Sequence, residues 1–200
     1  MSVARHLVIF VKAPVAGRVK TRLAAEIGAA PAARIYRRMT ADIIARLKAG
    51  PWRTWLAVAP PGAVSDSRFW PADLPRIAQG SGDLGARLMR VTRVLPPGPV
   101  AIVGSDCPAM TERDIADAFK GLARVPVVLG PAMDGGYWLI AAKRPLHPHV
   151  FHGVRWSSAY AMADTIGNLH RPPALLRTLR DIDTAADLRV WHERRAPKNR

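Results

Sequence analysis

Residues 100–104, VAIVG, constrain this chain most: an uncharged, β-branched run of this length reads as a parallel strand buried on both faces. Helical patterns flank it. Leu84, Leu88, Val91 and Leu95 recur at helical spacing before it and stop at Pro96-Pro97-Gly98-Pro99. After it, Thr111 opens a helix reaching Phe119, with Asp114 three positions on as in a capping box. The same alternation runs along the chain. Strands are expected at 6–11, 55–59, 76–79, 125–129, 137–142 and 175–179. A long helix is expected over 32–47, with Ile35, Met39, Ile43, Ile44 and Leu47 on its apolar face, Pro31 in its first turn and Gly50-Pro51 closing it. Ser157 or Ser158 starts a further helix to about Leu169, and Thr184 starts a terminal one reaching Trp191.

Strand–helix alternation predicts an α/β, three-layer αβα architecture with a mostly parallel central sheet. No linker or repeat divides it, so residues 1–194 are expected to form one domain and 195–200 a frayed polar tail. No apolar run approaches the roughly 18 to 20 residues that a membrane-spanning helix needs. The apolar start, Leu7 to Val11, is too short for a signal peptide. A single cysteine, Cys107, excludes an internal disulfide, and a cytoplasmic location is the expectation.

The formal charge of +15 is spread along the chain, and only 6 of the 30 basic residues are lysine. A nucleic-acid module would show a basic stripe with interleaved aromatics or a zinc-finger pattern, and neither is present. Surface bias together with a phosphate site is the reading taken here.

In a parallel sheet, ligands bind beyond the carboxyl ends of the strands, so the polar residues following each strand carry the information. After the first strand, Lys12, Arg18, Lys20 and Arg22 stand among small residues and Gly17. Lysine offers a point charge and arginine a fork for two oxygens, which suits phosphate, and a helix from near Val19 would add its amides. An ordinary charged surface loop is the plainer alternative. The loop is neither a P-loop nor a dinucleotide fingerprint, which argues against an ATPase or a nicotinamide dehydrogenase.

After the central strand comes Ser105-Asp106-Cys107-Pro108. A carboxylate at the end of a buried strand is costly unless it binds something, and a divalent cation on phosphates is a fitting partner. Asp183 follows the last strand and is a helix N-cap candidate or a second ligand to the same ion. Asp134-Gly135-Gly136-Tyr137 is a hairpin signal, or a place where a ligand meets Asp134, two permissive glycines and the Tyr137 ring. Gly82 and Asp83, at a glycine-rich helix entrance, face a base or phosphate or simply cap; Trp156, beside Ser157 and Ser158, stands at another helix start. His147, His149 and His152 fall in a loop and make a poor zinc set.

As a set, KAPVAGRVKTRL, QGSGDLGARL, GSDCP, LGPAMDGGYWLI, VRWSS and DIDTAADL resemble, over about residues 8–188, the bacterial glycosyltransferase-like "transferase 1" family associated with radical-SAM proteins. The resemblance implies the nucleotide-diphospho-sugar transferase (GT-A) fold. It also implies an NDP-sugar-dependent glycosyltransferase with Mg²⁺ or Mn²⁺ on the diphosphate, acting on an unidentified small-molecule acceptor. Lys12, Arg18, Lys20, Arg22, Gly82 and Asp83 would then bind the nucleotide and its phosphates, and Asp106 and Asp183 the metal. Asp134 and Asp106 would act in catalysis, while Gly135, Gly136, Tyr137 and Trp156 contact substrate. DIDTAADL also occurs in nucleotidyltransferases, and the first loop is similar to the K-S-R-L loop of phospholactate guanylyltransferase. Joining an NTP to a phosphorylated acceptor is therefore the alternative, and a basic nucleic-acid-binding or non-catalytic GT-A-like protein is a third reading. Ser105-Asp106-Cys107 departs from the D-x-D of many glycosyltransferases.

Overall fold

A computed structural model describes residues 4–66, 68–143 and 146–195. Its strands are β1 (His6–Lys12), β2 (Arg53–Ala59), β3 (Arg76–Ala78), β4 (Val100–Val103), β5 (Val127–Pro131), β6 (Tyr137–Ala142) and β7 (Ala174–Leu175). They form one sheet in the order β3-β2-β1-β4-β6-β5-β7. Only β6 runs against the others, pairing antiparallel with β4 and β5. The sheet is thus mostly parallel, as expected. The expected strand over 175–179 shrinks to the two residues of β7 plus a bridge from Leu179 to Ala132.

The helices are α1 (Thr21–Ile27), α2 (Ala29–Leu47), α3 (Leu84–Val94), α4 (Glu112–Gly121), α5 (Ala161–Gly167) and α6 (Ala185–Arg195). Alternation along β1 sends Leu7, Ile9 and Val11 to one face of the sheet, where they pack with Ile43, Ile44 and Leu47 of α2 and Ile115 and Phe119 of α4. Val8 points to the other face, onto Leu88 and Val91 of α3. Met39, Ile43 and Leu47 are fully buried, each contributing on the order of 1.5–3 kcal/mol. Ile35 is only half-buried, because Tyr36 takes the inward position beside it. Thr111 and Asp114 form the expected capping box on α4.

α5 is shorter than expected, starting at Ala161, because Ser158 spends its hydroxyl in the turn before it, donating to the Arg155 carbonyl and accepting from the Tyr160 N–H. α6 continues to Arg195, and the tail expected beyond it lies outside the described residues. Among the described residues, no helix is long and apolar enough to cross a membrane.

The strand order reverses at β1, whose neighbours are β2 on one side and β4 on the other. The ends of β1 and β4 therefore flank a topological switch point, where open α/β sheets form a crevice.

Candidate functional site

The chain leaves β1 at Lys12, whose backbone N–H donates to Tyr36 Oη at 2.9 Å. It then wraps outward through Gly17 (φ 75°) and returns at Lys20, a non-glycine residue in the left-handed region (φ 48°, ψ 49°). Such a conformation costs on the order of 1 kcal/mol or more and persists only when the surroundings impose it. Here they do. Val19 is buried against Ala33 and Tyr36, and the Lys20 side chain is only 4% exposed. Its ammonium lies 2.5 Å from Asp106 Oδ1 and 2.9 Å from Asp183 Oδ1. Burial alone would lower the lysine pKa, but the two carboxylates outweigh it, so the group is raised and stays charged. Arg22, well exposed, stands 3.9 Å from Asp183. α1 begins at Thr21, two residues later than expected, and has seven residues.

Asp106 is held from both sides. Ser105 Oγ pairs with Tyr36 Oη at 2.9 Å, and the Asp106 carbonyl accepts the Ile182 N–H at 3.0 Å. That backbone bond brings Asp183 beside Asp106. The start of α6 is capped without Asp183: the Thr184 hydroxyl and N–H donate to Asp187 Oδ2, and the Asp187 N–H donates back to Thr184 Oγ. The Asp183 carboxylate is thus left to Lys20. Lys12, Arg18, Lys20, Arg22, Tyr36, Asp106 and Asp183 line a cleft of about 270 Å³.

A second compartment, about 340 Å³, shares Lys12, Tyr36 and Asp106 with the cleft and runs along the ends of β1, β2 and β4. Its polar wall is Gln79 and Arg87. The Gln79 amide donates to the carbonyls of Val11 (3.0 Å) and Ala57 (2.9 Å), so Oε1 is turned to accept from Arg87 at 3.3 Å. Phe10, Leu84 and Leu88 supply apolar walls.

A third compartment, about 310 Å³, begins again at Asp106 and is lined by Asp134, Gly136, Tyr137, Trp156, Asp181 and Asp183 among others. Asp134 Oδ1 accepts the Gly136 N–H at 2.9 Å, the turn bond expected of Asp-Gly-Gly. Asp181 is pushed up to about 6 by burial and by the neighbouring Asp183 and Asp134. Cys107 is buried, and burial with the Asp106 and Asp181 charges raises its thiol far above the range in which a thiolate forms.

The strand ends thus bring together Lys12, Arg18, Lys20, Arg22, Asp106, Asp134, Gly136, Tyr137, Trp156 and Asp183. Three expected contacts sit elsewhere. Gly135 (φ 86°) faces the Ala159 backbone, where a Cβ would lie 2.2 Å from the carbonyl oxygen, so its lack of a side chain serves the turn. Asp83 caps α3, accepting from the Ala86 N–H at 2.8 Å, and lines a groove between α3 and residues 148–152. Gly82, at φ 97°, makes the turn into that cap. Tyr36, Gln79, Arg87 and Asp181 are absent from the expected set. Gln79, directly after β3, and Asp181, just after the strand expected over 175–179, had a readable signal; Tyr36 and Arg87 lie within helices.

The donor set for a metal is partial. Among the described residues, no group of three or more His, Cys, Asp or Glu side chains could hold an ion. Asp106 and Asp183 nevertheless converge on one cation, the Lys20 ammonium. Two hard carboxylates fit Mg²⁺ or Mn²⁺ when phosphate oxygens and water complete the shell. His149 and His152 stack with ring centroids 5.9 Å apart, and the His147 ring accepts the His149 N–H.

No curated protein matches this chain. Among solved structures, one described provisionally as a nucleotide-diphospho-sugar transferase from Desulfovibrio desulfuricans G20 is 28% identical, with a TM-score of 0.89 over 98% of this chain and 89% of that one. CMP:2-keto-3-deoxy-manno-octonic acid synthetase complexed with CTP is 13% identical (TM-score 0.61; 98% and 100% covered), so it shares the fold. So does Rv0371c from Mycobacterium tuberculosis H37Rv, solved in complex with manganese (16% identical; TM-score 0.57; 96% and 100%). The fold is therefore that of the nucleotide-diphospho-sugar transferases. Residues 42–158 match DUF2064, a family described as an uncharacterized protein conserved in bacteria, and the chain belongs to that family.

Proposed function

We propose that this protein is a transferase that binds a nucleotide diphosphate donor, an NDP-sugar, and passes the sugar to a small-molecule acceptor. The observation that carries the reading is the meeting of four loop cations with Asp106 and Asp183 at the switch point between β1 and β4. Lys12, Arg18 and Arg22 present charge to the diphosphate, while Lys20 holds the two carboxylates in place. Asp106 and Asp183 would hold Mg²⁺ or Mn²⁺, which when bound supplies Lewis-acid stabilisation of charge on the diphosphate. The Gln79–Arg87 compartment adjoins this cleft and has the apolar walls and fixed polar groups that suit a nucleobase. Asp134, across Asp106 from the loop, is the candidate base for the acceptor hydroxyl. The provisional description of the 28% identical structure supports a sugar-nucleotide donor.

Nucleotidyl transfer from an NTP to a phosphorylated acceptor is the second reading, favoured by the fold shared with a CTP-bound synthetase. Pyrophosphate release from GTP or CTP would identify it. Calorimetric titration of nucleoside diphosphates and NDP-sugars, with and without Mn²⁺, tests the first. Metal-enhanced binding of one base's diphosphate is expected, and a folded protein that binds none of them is not this enzyme.

A further inference from the structure

The third compartment differs in charge from everything around it. Among the described residues, no lysine or arginine lines it, in a chain of net charge +15. The arginines nearest in sequence are each committed elsewhere: Arg155 to Asp164 at 2.7 Å, Arg177 to Asp114 at 2.7 Å and Arg180 to Asp187 at 3.0 Å. Its polar wall is instead Asp134, Asp181 and Asp183, with Ser157 and Ser158, meeting the phosphate cleft at Asp106 and Asp183. Its other wall is aromatic. Tyr137 and Trp156 meet edge-on with centroids 6.4 Å apart, and the Trp156 indole nitrogen is buried with no hydrogen-bond partner among the described residues.

We infer that this cavity is the acceptor subsite and takes a sugar-sized, hydroxylated molecule that is uncharged or carries an amine, and not a phosphorylated one. The inference rests on the transferase reading above and names the substrate class of the same site. Hydroxyl groups donate, and the carboxylates of Asp134, Asp181 and Asp183 supply acceptors for them. The carbon-bound face of a sugar ring packs on the aromatic wall, and an ammonium would gain from the carboxylates. A phosphate ester would bring like charge beside these carboxylates, with no arginine fork among the described lining residues to receive it.

The test compares glucosamine, glucose and glucosamine 6-phosphate by saturation-transfer NMR on the full chain. Separate calorimetry measures nucleoside diphosphate binding. Glucosamine is expected to bind about tenfold or more tightly than its 6-phosphate, about 1.4 kcal/mol. The isosteric variants Asp134→Asn and Asp181→Asn, checked for folding by circular dichroism, should each narrow that ratio. Equal or tighter binding of the phosphate ester overturns the inference, as does binding of none of the three sugars. A protein that binds nucleoside diphosphate and still prefers the ester refutes this subsite alone. One that binds no nucleoside diphosphate refutes the transferase reading instead.

Discussion

The loop after β1 and the segment around Asp181 line two compartments that share Asp106 and Asp183, and they hold charge at the ends of the strands in different ways. At the loop end, Lys12, Arg18 and Arg22 are exposed around one buried cation, Lys20. At the other end the carboxylates face a cavity while the neighbouring arginines are drawn off to other partners. Asp106 lines all three compartments, and Lys20 is the contact across which the two ends neutralise each other. The difference teaches that net charge is a poor guide to this site. A chain of +15 gathers cations at one end of the site and carboxylates at the other.

Removing the shared residue should break the comparison most. Asp106→Asn is expected to lower steady-state turnover by about 10²–10³, the scale on which losing one preorganised contact to developing charge acts. Unchanged turnover would show that the two ends work independently. Lys20→Met comes next. It leaves Asp106 and Asp183 facing one another without the ammonium, so Mn²⁺ alone should bind about tenfold tighter and a metal-free nucleoside diphosphate about tenfold weaker. Calorimetry reads both, and weaker Mn²⁺ binding would mean that Lys20 supports the ion instead of competing with it.

Tyr36→Phe tests the loop's support. It removes the acceptor for the Lys12 N–H and the partner of the buried Ser105, costing about 1–2 kcal/mol in urea unfolding. The smallest effect concerns the back of the acidic end, where Arg177 anchors residues 176–183 to Asp114 of α4. Burial pushes Asp114 up, but Arg177 and Thr111 outweigh it, so its carboxyl sits below the usual range. A depressed carboxyl contributes stability above its unfolded value and loses it as pH falls through the folded one. Wild type should therefore lose more stability than Arg177→Met between about pH 5 and about pH 2. At neutral pH the variant should lose only about 1 kcal/mol, since Arg177 is half-exposed.

Much of the fold was legible because each buried run carries its own period. The stretches that became β1, β4 and β6 are apolar and short, and the Thr111–Asp114 box marks its helix without outside help. β7 was overread, since 175–179 is apolar enough for a strand but only two residues pair regularly with β5. Ile35 and Tyr36 are adjacent on α2, and periodicity alone does not tell which of them turns inward. That ambiguity hid Tyr36, which ties Lys12 to Ser105. Asp183 could be read from sequence as a cap; Asp187 and Thr184 take that task, and the structure gives Asp183 to Lys20, 163 positions away.

The sequence by itself determined that cations follow the first strand, that carboxylates follow later ones, and that the architecture is α/β. Those features are local, resting on period, turn chemistry and residue type. Only the tertiary structure decided that β1 lies beside β4, that the Ile182–Asp106 backbone bond brings Asp183 to Lys20, and that arginines near the acidic cavity are held away from it. Strand order and the partners of long charged side chains depend on contacts between segments far apart in the chain, and no local pattern records them.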